Sequence, residues 1–183
     1  MAVAADKLSW KMTFEDYLRL PRDGRKYEYV DGEAKEVPTN YEHDVIGAII
    51  IGLLTPHAKG RGYLTLSQAG FRMTGGNLRI PDAGFTRKER LPGGKPVQYF
   101  PDFAPDLCIE VVSPSEDRQD MTRKIEEYFN GGAQLVWHVF PAAQKVVVYT
   151  SPTDAKEYAA EDELSGGDLL PGFTCRVADL FAF

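Results

Sequence analysis

At 183 residues with 43% hydrophobic content, the chain is long and apolar enough for one domain with a full-sized core, which excludes a disulfide-stapled miniature and a disordered protein. Its longest apolar run, Val45 to Leu54, falls short of the roughly 20 residues of a membrane span, Met1 to Lys7 hold no sustained apolar stretch, and Cys108 and Cys175 stand isolated, so a cytoplasmic protein without membrane partner, disulfide framework or zinc spacing is expected. The net charge of −6 hides an uneven distribution: residues 56–95 carry eight Lys and Arg against Asp82 and Glu89 alone, a stretch suited to gripping a polyanion or, equally, an ordinary solvated surface.

Thr13-Phe14-Glu15-Asp16 starts a short helix that runs to Leu20 and is ended by Pro21. Lys26 to Val30 and Glu33 to Val37 flank Asp31-Gly32 as a β-hairpin. Thr39-Asn40-Tyr41-Glu42 has capping-box spacing and opens a mostly buried helix that carries Val45, Ile46, Ile49, Ile50, Leu53 and Leu54 toward a stop at Gly60. Tyr63 to Gln68 and Leu78 to Thr86 read as strands. A loop rich in Pro and Gly follows, functional or mobile at that length, and leads into the strand-like run Asp106 to Val112. Residues 119–130 form a helix with Met121, Ile125, Tyr128 and Phe129 inward and Gly131-Gly132 as its stop, and strands follow at 134–140 and 144–150. No repeat or linker divides the chain, so a single domain spanning 1–183, with its core at about 39–150, is expected. The central order is helix, three strands, helix, strand, an α/β (α+β) arrangement preceded by a helix and a hairpin.

Two carboxylates stand out. Asp82 follows Pro81 at the end of an apolar stretch, and Glu110 sits inside Leu107-Cys108-Ile109-Glu110-Val111-Val112. A carboxylate in a half-buried strand is expensive unless paired, and two of them on adjacent strands persist best around a hard divalent cation. The bland readings are a Pro-Asp turn for Asp82 and a buried Lys or Arg partner for Glu110. His43, His57 and His138 share no ligand spacing, which argues against a histidine zinc site. Cys108, within a strand, lacks the helix N-terminus that activates a thiolate.

The order of elements, with Asp on the second strand and Glu on the third, resembles the core of the PD-(D/E)xK nuclease superfamily. The ordered set Tyr27-Glu28-Tyr29-Val30-Asp31-Gly32, Glu42-His43, Arg79-Ile80-Pro81-Asp82, Ala104-Pro105-Asp106-Leu107, Glu110-Val111-Val112-Ser113-Pro114-Ser115, Lys124, Glu127-Tyr128 and Val136-Trp137 resembles the Uma family of restriction endonucleases, over roughly residues 13–181. The resemblance implies a restriction-endonuclease-like core with a mixed central sheet flanked by helices, a Mg²⁺ or Mn²⁺ cofactor, DNA as substrate and a homodimer. It also implies that Asp82 and Glu110 hold the metal, with the backbone carbonyl of Val111 and waters completing an octahedral oxygen shell.

One departure weakens the nuclease reading. The superfamily lysine stands two residues after the glutamate, and here that residue is Val112. Lys124, at the border of the inward face of the next helix and matching a lysine of the resembled family, is the candidate replacement; the bland reading is a surface lysine paired with Asp120. His43 in the first turn of its helix is a candidate proton acceptor or phosphate contact, and Glu28, sharing a strand face with Lys26 and Val30, is ranked below it. Arg72, Arg79, Arg87 and Lys88 are the candidate grips on flanking phosphates, and Ser67 and Gln68 are weaker ones. Two rivals remain: a catalytically inactive descendant that binds nucleic acid or a protein partner, marked by Lys124 facing solvent, and a glycosidase-like carboxylate pair acting without metal.

Overall fold

The computed structural model describes residues 8–21, 24–37, 40–114 and 116–183; Met1 to Lys7, Thr39 of the capping box and Ser115 of the family motif lie outside them. The chain opens with strand β1 (Ser9–Lys11), a single helical turn α1 (Phe14–Tyr17) and the hairpin β2 (Tyr27–Val30) and β3 (Glu33–Glu36). Asp31, at φ 55°, and Gly32, at φ 78°, supply the positive φ that a two-residue turn requires. Asn40 caps the long helix α2 (Tyr41–Ala58) by accepting from the His43 amide. Strands β4 (Gly62–Leu66), β5 (Phe71–Arg72), β6 (Leu78–Arg79), β7 (Ala83–Arg87) and β8 (Leu107–Val111) follow, then helix α3 (Arg118–Asn130), whose N-terminus Asp117 caps. Strands β9 (Leu135–Phe140), β10 (Lys145–Ser151), β11 (Asp154–Tyr158), β12 (Glu163–Ser165) and β13 (Thr174–Arg176) complete the order.

Two sheets share these strands. The first is antiparallel, in the order β1-β3-β2-β6-β5, and the second is mixed, in the order β11-β10-β9-β8-β7-β4. Its one parallel pair, β8 with β9, is joined by α3 as the crossover. Alternation along β8 sends Leu107, Ile109 and Val111 into the core under Ile46, Ile50 and Leu54 of α2, and Cys108 into a second cluster with Ile125 and Tyr128 of α3. Glu110 lies on the α3 side. Gly131, which ends α3, seats that helix closely on the segment entering β8, since a Cβ there would lie 2.9 Å from both the Ala104 amide nitrogen and its Cβ.

The strand expected over Leu78 to Thr86 is broken. Ile80-Pro81-Asp82 interrupts it, because proline has no N–H for the ladder, and β6 joins the first sheet while β7 joins the second. Asp82 therefore stands where the two sheets meet. The first helix stops at Tyr17 rather than Leu20, and β11 to β13, beyond the expected elements, extend the second sheet and pack a small hairpin on its α2 side.

Candidate active site at the junction of the two sheets

Four elements aim charged side chains at one buried point. Glu110 comes from β8, Glu28 from β2, Asp82 from the break between β6 and β7, and Lys124 from α3. Lys124 Nζ lies 3.1 Å from Glu110 Oε2, 3.6 Å from Glu116 Oε1 and 3.9 Å from Glu28 Oε1. Tyr128, one helical turn on, donates its hydroxyl to the other oxygen of Glu110. Lys26 Nζ lies 2.8 Å from Asp82 Oδ1, and Asp82 Oδ2 accepts from the Val111 amide at 2.8 Å. Arg79 donates to Glu28 Oε2 at 2.8 Å, to Glu127 at 2.5 Å and to Asp120 at 3.3 Å, while the Ile80 amide donates to the second oxygen of Glu28.

Burial sets the electrostatics. Glu110 and Lys124 are each 4% exposed and Glu28 is 2% exposed, so every charge leans on its partners. Burial pushes the Glu110 carboxyl up to about 7, with the like charge of Asp82 adding to the push and Lys124 opposing it. Glu28 shows the reverse outcome: burial would raise it, but Lys124, Arg79 and Lys26 together pull it down to about 2. For Asp82 burial is likewise outweighed, by Lys26 and the Val111 amide, and the carboxyl sits below its ordinary range. Lys124 resists its own burial because Glu110, Glu28 and Glu116 share it, and its ammonium is held well above the ordinary lysine range. The difference between the partners follows from sharing: three carboxylates secure one lysine, whereas Glu110 has a single close cation.

The sequence candidates separate into those brought together and those that are not. Asp82, Glu110, Lys124 and Glu28 converge, with Val111 beside Asp82 through its amide. Lys124 is buried rather than at a border, and Asp120 pairs with Arg79 instead. Val112, in the superfamily lysine position, is buried. His43 is half-buried on α2, which packs on the opposite face of the sheet from Glu110, so its rank above Glu28 is reversed. Arg79 is corrected outright: at 0% exposure and bound to three carboxylates, it cannot hold an external phosphate. Arg87 donates to Asp106 and Lys88 to the Gly60 carbonyl, at the far end of β7, about 16 Å of strand from Asp82. Arg72 lies in the first sheet, stacked 4.5 Å over Phe14. Cys108 is buried, and burial pushes its thiol well up, which removes it as a nucleophile.

Lys26, Tyr128 and the hub role of Arg79 escaped the sequence reading. Alternation carried a signal for the first, since Lys26 and Glu28 are two residues apart and share a face. His138 was missed as well: it is the register partner of Glu110 on β9, its ring nitrogens have no partner among the described residues, and burial with Lys124 nearby pushes it down to about 4.

Comparison with known proteins matches residues 14–178 to the family Uma2, described as "Putative restriction endonuclease". The chain belongs to the Uma2 family. Among curated proteins, no relative matches it. A crystal structure of a "putative nuclease" from Anabaena variabilis ATCC 29413 superposes with a TM-score of 0.81 at 22% identity, covering 93% of this chain and 97% of that one. This Uma2 chain thus has the restriction-endonuclease-like fold, and among its described residues no helix is long and apolar enough to cross a membrane.

Proposed function

We propose that this Uma2 protein is a divalent-metal-dependent endonuclease that hydrolyses phosphodiester bonds of DNA. The observation that carries the reading is the buried approach of Lys124 to Glu110 beside Asp82, two carboxylates and a lysine recruited from the following helix in place of Val112.

The donor set suits a hard cation. Its anionic groups are all carboxylates, and the repulsion of Asp82 that helps push Glu110 upward is what a dication relieves. Asp82 and Glu110 would hold the ion, with the Val111 carbonyl as a third oxygen; no group of three His, Cys, Asp or Glu at metal spacing occurs among the described residues, and Mg²⁺ tolerates filling the rest of its shell with water and phosphate oxygens. When bound, such an ion polarises the phosphoryl oxygen and lowers the pKa of its water.

The chain's own groups do the rest. Lys124 stays protonated and supplies positive charge where the transferring phosphate gains negative charge. Lys26 and the Val111 amide fix both oxygens of Asp82, and Tyr128 fixes Glu110. Arg79, paired with Glu28 inside the first sheet and with Glu127 and Asp120 of α3, ties that sheet to the helix, so the carboxylates keep their spacing.

The test is metal-dependent cleavage of DNA together with thermal unfolding. Mn²⁺ or Mg²⁺ should raise the melting temperature of the wild type and support cleavage, and Asp82→Ala should lose both effects. A shift retained in Asp82→Ala would put the metal elsewhere.

A further inference from the structure

A cleft of roughly 1080 Å³ opens between the first sheet, strand β4 and the loop 96–102. Its lining includes Lys26, whose ammonium donates to Asp82, so the cleft adjoins the candidate site. Its walls carry Arg25 and Arg72, part-exposed and in long ion pairs with Glu36 at 3.9 Å and with Asp102 at 3.6 Å, contacts loose enough for a phosphate to compete for. Two exposed tyrosines are among its lining residues. Tyr99 is 62% exposed, and Tyr63 is 36% exposed and pinned by its hydroxyl to the Gly94 carbonyl.

We propose that this cleft is the seat of an unpaired stretch of nucleic acid, a few nucleotides of single strand threaded past Tyr99 and Tyr63 toward Asp82. The inference rests on the nuclease reading above and names its substrate class. Cations along the walls match a phosphate backbone, and exposed ring faces match bases that have no stacking partner of their own. A duplex offers neither: its bases stack on each other, and its phosphates lie on the outside of a rod too wide for a cleft that is only slightly larger than a small-molecule pocket. Lys26 gives the path a direction, because this residue lines the cleft and its ammonium contacts the carboxylate.

The experiment is equilibrium binding by fluorescence anisotropy in EDTA, with a 12-nucleotide single strand as DNA and as RNA and with the matching DNA duplex. At least one single strand should bind about tenfold or more tightly than the duplex, and the better of the two identifies the sugar. Tyr99→Ala should weaken it by about tenfold, the scale of one lost base stack, while Tyr99→Phe keeps the wild-type affinity. Tyr63→Ala should weaken it likewise. Duplex binding equal to or tighter than both single strands, or full affinity in Tyr99→Ala, overturns the assignment. A parallel Mn²⁺ cleavage assay separates the two proposals: cleavage of duplex with indifferent tyrosines keeps the nuclease and discards the cleft, and tyrosine-dependent binding without cleavage does the reverse.

Discussion

Lys26 donates to Asp82 at 2.8 Å across 56 residues of sequence, closing the candidate site from the strand face that also carries Glu28. This pair is nearly dry, with 2% of the Lys26 side chain and 14% of the Asp82 side chain exposed. Removing one partner leaves the other charge buried. Lys26→Met should therefore cost about 3 kcal/mol in urea unfolding, and Lys26→Met with Asp82→Asn should recover part of that loss. Equal losses in the single and double variants would show that the two residues do not act as a pair.

Lys124 should separate catalysis from metal binding. Lys124→Ala is expected to keep the metal-induced rise in melting temperature and to lose cleavage by on the order of 100-fold or more, the scale for one electrostatic stabiliser. Adding Val112→Lys should return some turnover by restoring a cation to the face of Glu110. Wild-type cleavage rates in Lys124→Ala would leave the lysine without a catalytic role.

Glu110 makes the metal-free protein sensitive to pH in an unusual direction. Its folded carboxyl titrates near 7, against about 4.5 when unfolded, so between those values the folded chain keeps a proton that the unfolded chain has released. Stability from this group is thus full below about pH 4.5 and declines as pH rises through 7. Glu28 acts oppositely, its contribution being present above about pH 4.5 and lost toward pH 2. In EDTA, the melting temperature of the wild type should fall relative to Glu110→Gln between pH 5 and pH 8. Parallel curves would place the titration elsewhere.

Arg79 and Lys88 were grouped in the sequence, and the structure predicts contrasting phenotypes. Arg79→Met strips Glu28, Asp120 and Glu127 of their shared cation and should destabilise by about 3 to 5 kcal/mol or prevent folding. Lys88→Ala, at the exposed end of β7, should leave the melting temperature within about one or two degrees and act, if at all, on the salt dependence of binding, by roughly one unit of slope per lost phosphate contact. Reversed behaviour of the two would refute the burial assigned to them.

Much of this was legible in the residues. Hydrophobic period and capping signals mark α2 and α3, the Asp31-Gly32 turn marks the hairpin, and Glu110 inside an apolar strand marks the residue around which buried charges gather. What stayed hidden depended on pairing across long separations. Arg79 and Arg87 look alike in sequence, yet one is enclosed by three carboxylates from β2 and α3 and the other edges into solvent, a distinction set wholly by tertiary contacts. The splitting of the expected strand at Pro81 was signalled by the proline itself, but which sheet each half would join was not, because two-residue strands such as β5 and β6 carry too little pattern to choose a neighbour. Lys26 shares a strand face with Glu28 in the sequence, but its partner Asp82 lies 56 residues away, a pairing that alternation alone does not specify.

The break at Pro81 also makes the candidate site a joint product of two sheets. Lys124 and Glu110 are residues only 14 apart and belong to α3 and the second sheet, whereas the contacts that complete the site, Lys26 to Asp82 and Arg79 to Glu28, span 56 and 51 residues. Completion of the candidate site is thereby tied to docking of the N-terminal hairpin as well as to the main core. Detaching that hairpin, by a partner that captures it or by a local opening, would take Glu28 and Lys26 out of the candidate site and leave Arg79 and Asp82 without those partners.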